Sequence, residues 1–154
     1  MSLVGKPAPE FTLPNQDRQP VALREEWSKG PVILAFFPAA FSSVCTSELC
    51  TLRDRFAALA GSRARVFGVS VDSFFALAAF AKAEHLPYPL LSDFNKDVIR
   101  LYDVYNPDMI GLKGVAKRAV FLIDGAGVVR HEQVVDDARL EPDYDGLGAA
   151  LAAL

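Results

Sequence analysis

Apolar residues run unbroken from Pro31 to Phe37 between Gly30 and Pro38, the pattern of a strand covered on both faces. Similar runs occupy residues 65–71 and 118–124. The third continues through Gly125 and Gly127 into residues 128–134, a short glycine-containing connection that predicts an antiparallel hairpin. Between these runs the pattern is helical. A helix is expected over residues 44–60, another over 73–84 with Ser73 as its N-cap, a third over 95–104, and a last over 143–154. The last carries Leu147, Ala150, Leu151 and Leu154 on one face. Near the start, residues 10–13 and 21–23 flank Asn15, Gln16 and Asp17 and predict a two-stranded hairpin, while Pro7, Pro9 and Pro14 exclude a helix there. Residues 105–117 lack a clear period and contain Pro107, Gly111 and Gly114; loops of that length are uncommon unless functional or mobile.

Apolar strands alternating with helices and ending in a hairpin and a helix predict an α/β sandwich. Its central mixed sheet is flanked by helices and preceded by an N-terminal β-hairpin extension, an order that suits a thioredoxin-like fold. The 154 residues, 51% of them hydrophobic, are expected to form one domain over 1–154 whose core needs neither disulfide nor metal. A formal net charge of -3 with 23% charged residues gives no footprint for nucleic acid and no polybasic membrane patch. No apolar run approaches the roughly 18 residues of a membrane span. Residues 1–9 lack the charged, apolar and cleavage regions of a signal peptide, so a cytoplasmic location is expected. In a reducing compartment the two cysteines would not form a static disulfide, although a transient one is compatible with it.

Both cysteines lie within six residues, where the first buried strand gives way to a helix. Cys45, Leu49, Leu52, Phe56 and Leu59 recur at spacings of 4, 3, 4 and 3, which turns Cys45 toward the core. Cys50 is rotated about 140° from Cys45, on the flank of Asp54 and Ala57, and is expected to face away from the core. A cysteine on an apolar stripe is ordinarily a small core hydrophobe. The first turn of a helix is a different environment. With Ser42 as N-cap, the amides of Val44 and Cys45 have no intrahelical partner. Those donors and the positive helix end favour thiolate over thiol.

Pro38, Ser42 and Cys45 match the peroxiredoxin signature Pro-x-x-x-Thr/Ser-x-x-Cys, and Glu48 follows at the family's spacing. Three further segments resemble peroxiredoxin counterparts: Gly5-Lys-Pro-Ala-Pro-Glu-Phe-Thr-Leu13, Pro87-Tyr-Pro-Leu-Leu-Ser-Asp93 and Arg118-Ala-Val-Phe-Leu-Ile-Asp124. They occur in the family's order along nearly the whole chain. The sequence is most similar to the bacterioferritin-comigratory (PrxQ) and AhpE-like branches. The resemblance implies thiol-dependent reduction of hydrogen peroxide or organic hydroperoxides, with Cys45 as the peroxidatic cysteine. It implies that Ser42 and the amides of Val44 and Cys45 bind the peroxide, that Pro38 shields the thiolate, and that Arg118 places positive charge beside the sulfur with Glu48 orienting it. Serine stands where the family usually has threonine, keeping the hydroxyl and losing the methyl.

In the PrxQ branch a cysteine at the spacing of Cys50 resolves the sulfenic acid as a disulfide, and thioredoxin or a similar thiol reductant then recycles the enzyme. Residues five apart in an intact helix have Cα atoms roughly 8 to 9 Å apart, whereas a disulfide needs about 4.4 to 6.8 Å. The start of the helix must therefore unwind. Two alternatives stand beside this reading: a one-cysteine AhpE-like peroxidase in which Cys50 does not resolve, and a thiol redox sensor without sustained turnover. His85 and His131 lack metal-ligand spacing and glycine-rich phosphate loops are absent, so no cofactor or metal is expected. Family members include monomers and homodimers, and both states are compatible with the sequence.

Overall fold

In the computed structural model, residues 2–57 and 64–154 are described. In chain order they form β1 (Thr12–Pro14), β2 (Pro20–Ala22), α1 (Leu23–Trp27), β3 (Val32–Phe36), α2 (Ser43–Leu52), a π-helical turn (Arg53–Ala57) and β4 (Arg65–Ser70). There follow α3 (Phe74–Ala83), β5 (Leu90–Ser92), α4 (Asp97–Leu101), β6 (Tyr105–Asn106), β7 (Val115–Ala116), β8 (Arg118–Ile123), β9 (Val129–Val135) and α5 (Tyr144–Ala152). Five strands build the main sheet in the order β5-β4-β3-β8-β9. The β5, β4 and β3 pairings are parallel; β3 with β8 and β8 with β9 are antiparallel.

The central place of β3 follows from its composition. Every residue of β3 is buried, and alternate side chains enter opposite halves of the core. Ile33, Ala35 and Phe37 pack with Leu49 and Leu52 of α2, Leu77 and Phe80 of α3, and Leu147 of α5. Val32, Leu34 and Phe36 pack with Leu23, Val98, Ile99 and Tyr102 on the other face. A sheet covered on both sides needs continuous apolar strands rather than alternating ones, which is why the uninterrupted runs identify β3, β4 and β8 directly.

Several expected elements are shorter or shifted. The opening hairpin pairs Thr12 with Ala22 and Pro14 with Pro20, and Leu23 begins α1 instead of ending a strand. Asn15 sets that turn by accepting hydrogen bonds from the amides of Asp17 and Gln19. The helix expected over 95–104 shrinks to α4, because Lys96 adopts a left-handed conformation (φ 65°) and Asp93 accepts from the amides of Val98 and Ile99. Ser73 caps α3 as expected, accepting from the Ala76 amide at 3.2 Å. The helix expected over 44–60 is α-helical only to Leu52 and continues as the π turn; its residues 58–60, and with them Leu59, lie outside the described residues. Where the ladder changes, the Leu49 carbonyl accepts from the Tyr88 hydroxyl at 2.6 Å as well as from the Arg53 amide. A side chain entering the hydrogen-bond ladder is a recognised cause of such a break. Residues 105–117, which showed no period, hold the small β6-β7 ladder and a left-handed Ile110.

Candidate active site

The site lies where β3 hands over to α2. Phe36 pairs with Ala119 across the antiparallel β3-β8 ladder, so the first residue of β8, Arg118, is delivered beside the connection that leads into α2. That connection is held in place from β4's side: the Ala40 amide donates to Asp72 Oδ2 at 2.8 Å. Phe41 takes a positive φ of 68° and leans its exposed ring on Phe80, with centroids 5.1 Å apart. A non-glycine residue in that region carries strain, which the Asp72 tie and the aromatic contact offset.

Cys45 occupies the first turn of α2 and is 1% exposed. Both terminal nitrogens of Arg118 approach its Sγ at 3.4 Å. Arg118 Nη1 also donates to Glu48 Oε1 at 2.7 Å, and Nη2 donates to the Ala138 carbonyl at 2.9 Å. Arginine and glutamate are each essentially without solvent contact. Cys45 and Glu48, three residues apart, share a helix face, and both present their polar atoms to one guanidinium. Glu48 Oε2 and Arg118 Nε find no partner among the described residues. Burial pushes the Glu48 carboxyl up to about 7, against the pull of the adjacent Arg118, and the neighbouring carboxylate of Glu141 adds to the rise. Such a pair is costly to desolvate and is strongly destabilised when one member is removed.

Ser42 stands at the N-cap position of α2, but its side chain does not cap. Its hydroxyl donates to the Ala39 carbonyl at 2.9 Å, and among the described residues no side chain accepts from the first amides of the helix. The expected role of Ser42 as a position is met, whereas the capping hydrogen bond is absent. The first turn therefore keeps its donors free of a side-chain acceptor, as an anion-receiving helix start requires. Pro38 is buried, and Ser42 and Val44 are half-buried. Together with Cys45, Arg118 and Ala138 they line a cleft of about 160 Å³, whose remaining wall is Ser43, Met109, Ile110 and Arg139.

Of the expected residues, Pro38, Ser42, Val44, Cys45 and Arg118 line one cleft, Glu48 is buried behind it against Arg118, and Cys50 stands apart. Cys50 lies on another flank of α2, away from that cleft as its rotation required, but it is half-buried rather than a free surface thiol: its Sγ donates to Glu84 Oε2 at 3.5 Å. Desolvation, Glu84 and Asp54 raise the Cys50 thiol, with Arg53 opposing them. The two cysteines are not bonded to each other. Sequence reasoning had marked 105–117 as a loop of interest without identifying Met109 and Ile110 as the apolar rim. Ala138 was missed because a backbone carbonyl leaves no trace in residue type. Among the described residues no cluster of His, Cys, Asp or Glu could hold a metal ion, and no helix is long and apolar enough to cross a membrane.

A buried helix-start cysteine gripped by a guanidinium, on a mixed sheet covered by helices, defines a thiol redox protein of thioredoxin-like fold. Residues 4–132 match the model of the AhpC/TSA family. The chain is 35% identical to alkyl hydroperoxide reductase E of Mycobacterium tuberculosis over 158 aligned positions, covering 98% of this chain and 97% of that one. It is 36% identical over 141 positions to the chloroplastic 2-cysteine peroxiredoxin of Chattonella marina var. antiqua, covering 85% of this chain and 70% of the relative. The crystal structure of peroxidoxin BcpB from Mycobacterium tuberculosis superposes with a TM-score of 0.88 at 33% identity, over 100% of this chain and 99% of that one. The chain therefore belongs to the AhpC/TSA family and is a thiol-dependent peroxidase of the peroxiredoxins' PrxQ/AhpE-like branch.

Proposed function

We propose that the 154 residues act as one peroxiredoxin domain in which Cys45 reduces hydrogen peroxide or an organic hydroperoxide. The observation that carries this reading is the double approach of Arg118 to Cys45 Sγ at 3.4 Å, with Glu48 fixing the guanidinium from the other side. The Cys45 thiolate attacks one peroxide oxygen. The O–O bond breaks, sulfur becomes a sulfenic acid, and the alkoxide or hydroxide leaves as alcohol or water after taking a proton. Negative charge moves from sulfur toward the departing oxygen, so donors along that path stabilise the transition state. Arg118 and the first amides of α2 at Val44 and Cys45 supply them, while the Ser42 hydroxyl, whose proton goes to the Ala39 carbonyl, accepts from the peroxide O–H. Pro38 closes the sulfur off from bulk water, and the apolar rim of Met109 and Ile110 suits the alkyl part of an organic hydroperoxide.

Cys50 then resolves the sulfenic acid, giving an intramolecular disulfide that thioredoxin or a similar thiol reductant reopens. The reaction belongs in the reducing cytoplasm, with the enzyme as a monomer or homodimer. Intact mass spectrometry after one equivalent of hydrogen peroxide tests the scheme. A loss of two mass units, abolished in both Cys45→Ser and Cys50→Ser, is expected; a sulfenic acid that persists in the unsubstituted protein would instead establish one-cysteine chemistry.

A further inference from the structure

The two halves of α2 are anchored very differently. At its C-terminal end, the Leu49 carbonyl is gripped by the buried Tyr88 hydroxyl, Cys50 Sγ donates to the Glu84 carboxylate, and Arg53 Nη1 donates to the Glu84 carbonyl. Glu84 is the C-cap of α3, whose Phe80 and Leu77 are core residues, so these bonds tie α2 to a fixed element. Among the described residues, the first turn is hydrogen-bonded to another element only where Arg118 meets Cys45 Sγ, the atom that peroxide itself oxidises, and Ser47 just beyond it bonds the exposed Glu141. Ser42 does not cap it, and Thr46 bonds only back to the Ser42 carbonyl through its amide and hydroxyl, at 2.9 Å each. An opening that brings the cysteines together therefore begins at the first turn.

We infer that Glu84 is the catalytic base that takes the Cys50 proton as the disulfide forms, with Cys50 held against α3 while the first turn of α2 opens. This rests on the proposed resolving role of Cys50. Cys50 Sγ attacks Cys45 Sγ as an S–S bond forms and the S–O bond of the sulfenic acid breaks. The Cys50 sulfur is oxidised and the Cys45 sulfur reduced. The thiol proton passes to Glu84, the hydroxide leaves, and it becomes water by taking up a proton, which restores the carboxylate. A base is needed here because the thiol is less acidic than an ordinary cysteine where it sits, and thiolate is the attacking form. Glu84 is the group whose oxygen already accepts from the sulfur. The other charged or titratable groups facing Cys50 are Arg53 and Asp54 from its own segment and Tyr88 across the packing; Arg53 carries no basic site at working pH, both Asp54 oxygens accept from Arg53, and the Tyr88 hydroxyl is committed to Leu49.

Glu84→Gln tests this, since it keeps the side-chain volume and the carbonyl that Arg53 uses. Quenched-flow mass spectrometry after one equivalent of hydrogen peroxide separates sulfenic acid formation from disulfide formation. The expected result is an unchanged first step and a second step slowed at least about tenfold at pH 7. The deficit should shrink as pH rises, because thiolate formed without a base takes over. Hydrogen exchange of the oxidised protein should rise at residues 43–46 and stay near the reduced level at 49–53. Disulfide formation at the unsubstituted rate and pH profile in Glu84→Gln, or exchange rising evenly through 53, would overturn the inference. Absence of any internal disulfide in the unsubstituted protein overturns the resolving role itself, and is recognised by a persistent sulfenic acid.

Discussion

Replacing Arg118 with methionine separates what the guanidinium does for the reaction from what it does for the fold. Methionine fills much of the arginine stem but offers no charge and no donor. In the reaction it removes two contacts to Cys45 Sγ, both at 3.4 Å in the reduced protein. Hydrogen bonds to charged groups contribute about 1.5 to 3 kcal/mol each, and because these are long and share one sulfur, a loss of about 3 to 4 kcal/mol from the transition state is expected. At 1.36 kcal/mol per factor of ten, sulfenic acid formation slows by about 10² to 10³. In the fold, the same change leaves Glu48 fully buried without its ion-pair partner. Removing one member of a buried pair costs about 3 to 5 kcal/mol, held toward the lower end here because burial drives Glu48 to bind a proton.

The two effects part company in the double variant Arg118→Met with Glu48→Gln. The glutamine carries no charge to strand, so urea unfolding at pH 8 should recover about 2 kcal/mol relative to Arg118→Met alone, while the peroxide step stays as slow as in the single variant. The rate is read by quenched-flow mass spectrometry of the sulfenic acid with Cys50→Ser as background, so that resolution does not intervene. A folded Arg118→Met protein reacting within threefold of the unsubstituted rate would refute the role given to the guanidinium. A double variant that regained the rate would show that the stranded carboxylate, rather than the lost donors, had slowed the single one.

Glu48 also predicts the pH dependence of stability. Its folded value of about 7 lies above its ordinary 4.5, so the folded state holds the proton more tightly than the unfolded chain. The stability this contributes is fully present below about 4.5 and is lost as pH rises through 7, a decline of up to about 3 kcal/mol. Urea unfolding at intervals from pH 5 to 8 should show that slope and show it flattened in Glu48→Gln; equal slopes would contradict it. Tyr88→Phe removes the 2.6 Å bond to the Leu49 carbonyl and should lower stability by about 1 to 2 kcal/mol, with faster amide exchange at 49–53; unchanged stability and exchange would mean that the Arg53 bonds alone hold this end of α2.

What could be read from the sequence divides along a physical line. β3, β4 and β8 were legible because a strand buried on both faces leaves a continuous apolar run, and Ser73 was legible because capping is local. β5 escaped because Leu90, Leu91 and Ser92 are too few to show a period, and its burial comes from pairing with β4. The shortening of the helix expected over 95–104 depended on the conformation of Lys96 and on the reach of Asp93, neither of which periodicity reports. At the site, Cys45 and Ser42 were placed by their offset from the helix start. Arg118 and Glu48 stand 70 residues apart and were paired only through a family resemblance. Composition alone would have put Glu48 on a helix surface, whereas it has no solvent exposure.

Cys50 lies away from the cleft as expected but is half-buried against Glu84, and that placement exposes how α2 reconciles two demands. A peroxidatic thiolate needs a rigid, water-poor helix start, because donors are effective only when held in position. Disulfide formation needs that start to come apart. If one set of contacts governed both, any gain in reactivity would slow resolution. Here the contacts that shape the peroxide cleft come largely from outside the helix, from Arg118 on β8 and the Ala138 carbonyl. The contacts that fix Cys50 come from Glu84 and Tyr88 beyond the far end of α2. The first turn lies between the two sets with no side-chain cap of its own. In the proposed scheme its opening releases Cys45 from Arg118 while leaving Arg118 on Glu48 and the Ala138 carbonyl, and Cys50 on Glu84. On that scheme low stability is expected only at the few residues that must move, in keeping with the general placement of mobile catalytic elements at the low-stability end of a fold.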